Sequence, residues 1–144
     1  MHTLSLSRAA WKFRDATRRT AWKSAVVPGC VHRDLLRLKL IPDPFWAANE
    51  NDVQWIEERA WEYRATFSVA PALLDDERVE LVADGLDTIA TVFLNGREIA
   101  RTENMFIGYR WDVKSELRKG KNEILIRFDS AMDYIRTQRL EHQP

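Results

Sequence analysis

Neighbouring carboxylates are the first residues to examine for chemistry, because two facing carboxyl groups can share general acid and base work. The chain has two adjacent pairs, Glu57-Glu58 and Asp75-Asp76. In an extended chain, adjacent side chains point to opposite faces, so neither pair can converge on one point. We therefore interpret both pairs as solvated surface charge.

Cys30 and His32 are the candidates for a nucleophile and its base. A reactive thiol needs a nearby cation, and the spacing puts His32 on the same face without ensuring contact. The Pro-Gly turn before Cys30 and the apolar Val31 after it favour a buried, inert cysteine instead. His32 is interpreted as a helix-start or packing residue. With one cysteine and three scattered histidines, we expect no disulfide, metal site or cofactor.

Aromatic side chains in the middle of the chain could stack on sugar rings. Trp61 begins an alternating pattern, which predicts a core position. Trp46 and Trp55 precede it in a long loop, where contact with another domain, local core packing and direct sugar contact all stay open. Asn49 and Glu50 from the same loop could hydrogen-bond a sugar or a neighbouring domain, although turn formation explains Asn49 equally well.

Composition narrows the class of protein. The 22 basic and 22 acidic residues cancel, so a nucleic-acid partner is not expected. An apolar content of 45% argues against disorder. No apolar run approaches the ~20 residues that span a bilayer, and the start lacks an apolar signal core. These features predict a cytoplasmic or already processed protein with no membrane contact.

The elements that must position these residues are mostly strands. Apolar spacing predicts a helix from Val31 to Leu40, which is stopped by the following prolines. Elsewhere, alternation of apolar and polar residues predicts short strands, including an edge strand around Trp11. Asn95-Gly96 is predicted to form a two-residue hairpin turn and to have no further role. Residues 71–77 are predicted to form a polar turn. Ser130 is predicted to cap a helical turn that holds Ile135, and residues 136–144 are predicted to form a loose tail. Together, these short strands and turns predict an antiparallel β-sandwich.

Ordered motifs along the chain then carry a resemblance to a known family. They are Trp11-Lys12-Phe13, Val27-Pro28-Gly29-Cys30-Val31-His32, Asp34-Leu35-Leu36, Ile41-Pro42-Asp43-Pro44-Phe45, Asn49-Glu50, Gln54-Trp55, Trp61-Glu62-Tyr63-Arg64, Asp84-Gly85-Leu86-Asp87-Thr88, Phe93-Leu94-Asn95-Gly96 and Gly120-Lys121-Asn122-Glu123-Ile124. The chain resembles the N-terminal domain of glycoside hydrolase family 2, in its β-mannosidase-like branch.

The resemblance implies an all-β jelly-roll sandwich similar to galactose-binding domains, and the residue pattern adds a short helix and a long loop near residues 31–58. It implies one domain over 1–144, an accessory part of a retaining exo-β-mannosidase that hydrolyses terminal β-D-mannose residues. The partners it implies are carbohydrate and a (β/α)8 barrel that holds both catalytic glutamates. A barrel takes ~250 residues, so the chain alone is expected to be inactive. An autonomous carbohydrate-binding module, or a β-galactosidase- or glucuronidase-type relative, stays the alternative.

Two Asn-Glu dipeptides match the acid/base pattern of such enzymes, Asn49-Glu50 and Asn122-Glu123. Neither is predicted to lie on a barrel strand, so we predict no catalytic residue here. The Trp-rich motif that the family carries late in this domain is also not found before Pro144. We therefore expect the domain to stop before its last strands. Trp46, Asn49, Glu50 and Trp55 remain the candidates for substrate or inter-domain contact.

Overall fold

Short strands build most of the molecule. The computed structural model describes residues 2–27, 29–40, 55–56, 59–83, 86–87, 89–103, 108–129, 134–135 and 138–143. Over these ranges the strands are β1 (His2–Ser5), β2 (Ala10–Asp15), β3 (Lys23–Ser24), β4 (Gly29–Cys30), β5 (Trp61–Val69), β6 (Arg78–Ala83), β7 (Leu86–Asp87), β8 (Ala90–Leu94), β9 (Arg97–Thr102), β10 (Tyr109–Asp112), β11 (Gly120–Phe128), β12 (Tyr134–Ile135) and β13 (Gln138–Gln143). The α-helices are α1 (Val31–Arg37) and α2 (Pro71–Leu74).

Two larger antiparallel sheets face each other. The six-stranded sheet has the order β3-β2-β5-β11-β8-β9, and the four-stranded sheet has the order β1-β13-β6-β10. A small third sheet joins β4, β12 and β7. Buried side chains from both large sheets belong to one hydrophobic core, so the sheets pack as a sandwich. This confirms the predicted antiparallel β-sandwich.

Strand β5 lies at the centre of the six-stranded sheet, and its apolar and polar residues alternate strictly along the strand. Its apolar positions are buried, from Trp61 to Val69, and nine residue pairs align it with β11. The Tyr63 ring stacks on Phe13 at a centroid distance of 5.8 Å and meets the Phe128 ring edge-on at 5.9 Å. Such aromatic pairs add stabilisation beyond the area that they bury. The core position predicted for Trp61 is confirmed, since its side chain is buried.

The hairpin turn at Asn95-Gly96 is confirmed, but Asn95 does more than turn the chain. Both residues have positive φ, 52° and 82°, as a two-residue hairpin requires. The Asn95 Nδ2 donates to the Glu116 carbonyl at 2.8 Å and to the Asn122 Oδ1 at 2.9 Å. Its Oδ1 accepts the Glu123 N–H at 2.9 Å. The prediction that this dipeptide is turn chemistry alone is therefore wrong.

Several element predictions need correction. The strand around Trp11 is not at the edge, because β3 pairs with its outer side. The segment predicted as a polar turn begins with α2, whose first position suits Pro71 and whose Leu73 is buried. The predicted helix at Val31 is confirmed, although it ends earlier than Leu40.

The end of the chain also differs from its prediction. Ile135 lies in β12 and not in a helical turn, and residues 138–143 form β13 between β1 and β6 where a loose tail was expected. Backbone pairing with two partners satisfies the amide groups of this strand whatever its side chains are. A polar sequence gives little periodic signal for such a strand.

Candidate functional site

Of the four predicted contact residues, Trp55 is described. Trp46, Asn49 and Glu50 lie outside the described residues, so their roles stay predictions. Trp55 lies in a short helical turn ahead of β5, and its half-buried ring packs against the core. It lines a cleft of about 130 Å³ beside α1.

Apolar side chains form much of this cleft. Phe13, Leu35 and Trp61 line it from the core, and Leu40, which follows α1, is 48% exposed at its wall. Lys23 from β3 adds an ammonium group. The cleft therefore combines an apolar floor with a polar rim, a composition that suits binding by packing.

Asp15 and Arg59 hold Trp55 in place. The Arg59 Nη1 lies 2.7 Å from the Asp15 Oδ2, and the guanidinium carbon lies 4.5 Å from the centroid of the Trp55 ring. The other Asp15 oxygen accepts hydrogen bonds from the backbone N–H groups of Thr17 and Arg18. Because the Asp15 side chain is 3% exposed, its charge is compensated locally and screened little by water. This paired guanidinium makes Trp55 a rigid wall.

A second aromatic contact closes the other side of this arrangement. The rings of Trp55 and Trp61 are 6.0 Å apart and tilted by 45°. The Trp61 Nε1 donates to the carbonyl of Ile56 at 3.0 Å, which ties the helical turn to β5. The cleft thus presents fixed aromatic and apolar surface to whatever contacts it.

Asp34 anchors α1, which carries Leu35 into the cleft. Its Oδ1 accepts from the Val26 N–H at 3.0 Å and from the Arg37 Nη2 at 3.3 Å, and its Oδ2 accepts from the Tyr63 hydroxyl at 3.1 Å. Burial raises the pKa of Asp34 above its ordinary value, while these hydrogen bonds and the Arg37 charge oppose that rise. All its described contacts are structural.

The other carboxylates near the core also have structural partners. Glu62 pairs with Arg14 at 2.8 Å across β2 and β5. Asn122, which precedes Glu123, is buried and donates to the carbonyls of Arg118 and Gly120. The asparagine of this dipeptide therefore stabilises the turn before β11.

Within the described ranges, no group of three or more His, Cys, Asp or Glu side chains is arranged to hold a metal ion. No helix in the same ranges is long and apolar enough to cross a membrane.

Comparison with known proteins assigns the fold and its motifs to a family. Residues 11–144 match the family described as the glycosyl hydrolase 2 galactose-binding domain-like domain. This chain belongs to that family. The match covers β2 to β13, which confirms the galactose-binding-like sandwich and the family resemblance carried by the motifs.

Relatives of this family member are much longer than the chain. It is 44% identical to beta-mannosidase B of Thermothelomyces thermophilus over 135 residues, which cover 92% of this chain and 15% of that enzyme. It is 40% identical to beta-mannosidase B of Aspergillus terreus over 85% of this chain, again 15% of the enzyme. The chain therefore spans less than a fifth of the length of these relatives.

Solved structures show the same relation. The β-D-mannosidase of Dictyoglomus thermophilum superposes with a TM-score of 0.85 at 41% identity, covering 89% of this chain and 16% of that enzyme. The Ruminococcus gnavus beta-glucuronidase superposes with a TM-score of 0.72 at 14% identity, over 99% of this chain and 29% of that enzyme. At that identity the second match shows a shared fold alone.

Sequence reasoning missed the pair that holds Trp55 in this galactose-binding-like domain. Trp11, Phe13 and Asp15 occupy alternate inward positions of β2, so the pattern places a carboxylate where a buried partner is required. That signal pointed to a buried cation. It did not identify Arg59, which lies 44 residues further along the chain.

Proposed function

We propose that this chain is the N-terminal accessory domain of a retaining exo-β-mannosidase, which hydrolyses terminal β-D-mannose residues, and that it is inactive alone. The observation that carries the proposal is the match to β-mannosidases at 40–44% identity over nearly all of this chain and 15% of theirs. The remaining length of such enzymes is ample for a catalytic barrel of ~250 residues.

The chemistry of the reaction supports an accessory role for this domain and a catalytic role for the barrel. Retaining hydrolysis needs two carboxyl groups about 5–5.5 Å apart, one as nucleophile and one as acid and base. Among the described residues, each buried carboxylate has a cationic partner from this domain; these carboxylates are Asp15, Asp34, Glu62 and Glu80. The domain's work is then to support the barrel and to form part of the wall around the substrate pocket.

The Trp55 cleft is the part of the domain best suited to that wall. Trp55 is held between Arg59 and Trp61, so it can present surface to a neighbouring domain without losing much side-chain freedom. Trp46, Asn49 and Glu50 precede Trp55 by a few residues in the sequence and are proposed to share this contact with the barrel or with bound sugar.

An autonomous carbohydrate-binding module is the second candidate, and the aromatic wall at Trp55 favours it. The volume of the cleft counts against it. At about 130 Å³ it is smaller than the ~300–1,000 Å³ of usual ligand pockets. Calorimetry with mannose and manno-oligosaccharides tests this reading. Millimolar or tighter binding by the isolated chain would support it.

A fusion tests the main proposal. In this fusion the chain replaces the equivalent segment of the Dictyoglomus thermophilum β-mannosidase, with which it shares 41% identity. We expect the fusion to hydrolyse p-nitrophenyl β-D-mannoside, and the chain alone to give no turnover above background. A folded but inactive fusion, beside an active parent enzyme, would contradict the proposal, as would turnover by the isolated chain.

A further inference from the structure

The outer face of the six-stranded sheet carries apolar side chains where water is expected. Phe93 on β8 and Leu125 on β11 lie directly opposite each other and are partly exposed. Both face away from the hydrophobic core, and neither belongs to it. One exposed apolar side chain is ordinary on a protein surface. Two in register on neighbouring strands form a patch.

Two cations extend this patch along one line across the sheet. Arg64 on β5 lies opposite Leu125, and Lys12 on β2 lies opposite Arg64. We call Lys12, Arg64, Leu125 and Phe93 the outer row. It crosses four strands and therefore spans roughly 14 Å between the outermost two. Its apolar half and its cationic half lie side by side.

The Trp22 ring fixes the cationic half. The Arg64 guanidinium carbon lies 4.1 Å from the Trp22 ring centroid, and that of Arg14 lies 4.5 Å from the same centroid. Trp22 is also partly exposed and outside the core. A guanidinium held over an aromatic ring is preorganised for a carboxylate.

Cations outnumber carboxylates in the groove beside the outer row. A groove of about 440 Å³ is lined by Lys12, Arg64 and Lys121, with Glu123 as its carboxylate. Within the described part of the chain, none of the three cations forms an ion pair.

Neighbouring arginines on the same face behave differently. Arg14 pairs with Glu62 at 2.8 Å, and Arg127 lies 3.8 Å from Asp129. In a chain whose formal net charge is zero, the groove is thus a local excess of positive charge. Its complement is a carboxylate-bearing surface.

We propose that the outer row and its groove form the docking surface for an acid-rimmed apolar surface of the catalytic part of the parent polypeptide. The inference rests on the proposed function. Two observations select this occupant. The chain is 15–16% of the length of its β-mannosidase relatives, so most of the parent polypeptide is available to cover the face. The face also presents Arg64 held over the Trp22 ring, and Trp and Arg are residue types enriched at the energetic centres of protein interfaces.

Lysine labelling of the fusion described above, compared with the isolated chain, tests the proposal. An amine-acetylating reagent and mass spectrometry report the accessibility of Lys12 and Lys121. In the fusion we expect both to react about tenfold more slowly, because an interface excludes water and reagent. Lys114 lies beside β6 of the opposite sheet and is the control whose reactivity should not change.

Variants add a second measurement. Arg64→Glu and Leu125→Glu should lower the melting temperature of the fusion by several degrees more than that of the isolated chain. Arg118→Glu makes the same charge change as Arg64→Glu, but in the turn before β11 and outside the outer row, so it should affect both proteins equally.

Each outcome is decisive. Equal labelling of Lys12 and Lys121 in the two proteins overturns the proposal. Protection of the two lysines in the isolated chain that increases with its concentration also overturns the proposal, because it would indicate that a second copy of the chain covers the face. Protection of the two lysines by sulfate alone overturns it as well, because it would indicate that the groove binds a small oxyanion. An active fusion with unprotected lysines refutes the docking surface alone, whereas an inactive fusion with protected lysines refutes the proposed activity alone.

Discussion

The Asp34 carboxylate accepts a hydrogen bond from the Tyr63 hydroxyl at 3.1 Å, which joins α1 to the central strand β5. Both side chains are almost fully buried, at 2% and 1% exposure. The position of α1, and with it the wall of the Trp55 cleft that Leu35 forms, depends on this contact.

Replacement of Asp34 by Ala should destabilise the domain and make its stability depend less on pH. The loss of its buried hydrogen bonds should cost about 1–3 kcal/mol. The pKa of Asp34 is raised on folding, so the folded state binds the proton more tightly. Its contribution is therefore largest at low pH and declines as pH rises through the folded pKa.

Urea unfolding at acidic and neutral pH measures this effect. The difference in unfolding free energy between the unsubstituted chain and the Asp34→Ala variant should be larger at about pH 4 than at about pH 7. A difference that grows toward neutral pH would contradict the raised pKa. Tyr63→Phe removes the hydroxyl that donates to Asp34 and leaves the carboxyl in place, so it controls for loss of this contact.

Replacement of Arg59 by Ala should leave Asp15 buried without its cation and release Trp55. We expect a loss of about 1–3 kcal/mol in unfolding free energy, less than a fully buried pair would give, because the Arg59 side chain is 21% exposed. The control is Arg78→Ala, since Arg78 is 57% exposed and lies 3.5 Å from Glu80. It should cost under about 1 kcal/mol. Equal losses in the two variants would contradict the role given to Arg59.

Replacement of Asn122 by Ala should be among the more destabilising polar changes. Its side chain is 1% exposed and bonds to Asn95 and to the backbone of Arg118 and Gly120. We expect a loss of about 2–4 kcal/mol, because several buried polar groups lose their partner together. Thermal unfolding of the isolated chain measures it. Unchanged stability with lost activity in the fusion would instead support a catalytic role for this dipeptide.

Replacement of Trp55 by Ala should affect the fusion more than the isolated chain. If Trp55 forms part of the substrate wall or the domain contact, mannoside hydrolysis by the fusion should fall about tenfold, in the range of an interface anchor residue. Trp111 is also half-buried against the core, so Trp111→Ala is the matched control. Equal falls in activity for the two variants would remove the special role of Trp55.

Local sequence patterns predicted the parts of the fold in which the type of each residue matches its own burial or backbone conformation. The alternation from Trp61 to Val69 predicted β5 residue for residue, and Asn95-Gly96 predicted the hairpin because both residues tolerate positive φ. The order of motifs predicted the family, which the match over residues 11–144 confirms. The extent of the domain, its truncation and its cytoplasmic location stay predictions.

Long-range pairing lay outside what local patterns contain. The strand β13 has no apolar alternation, and it forms because β1 and β6 offer their backbone groups on both sides. The sequence by itself determined the antiparallel sandwich and the hairpin turn, since these follow from residue type and spacing, and its ordered motifs carried the resemblance to the family. The tertiary structure alone decided that Arg59 meets Asp15 under Trp55 and that Arg64 lies beside Leu125, because these contacts join residues more than 40 positions apart.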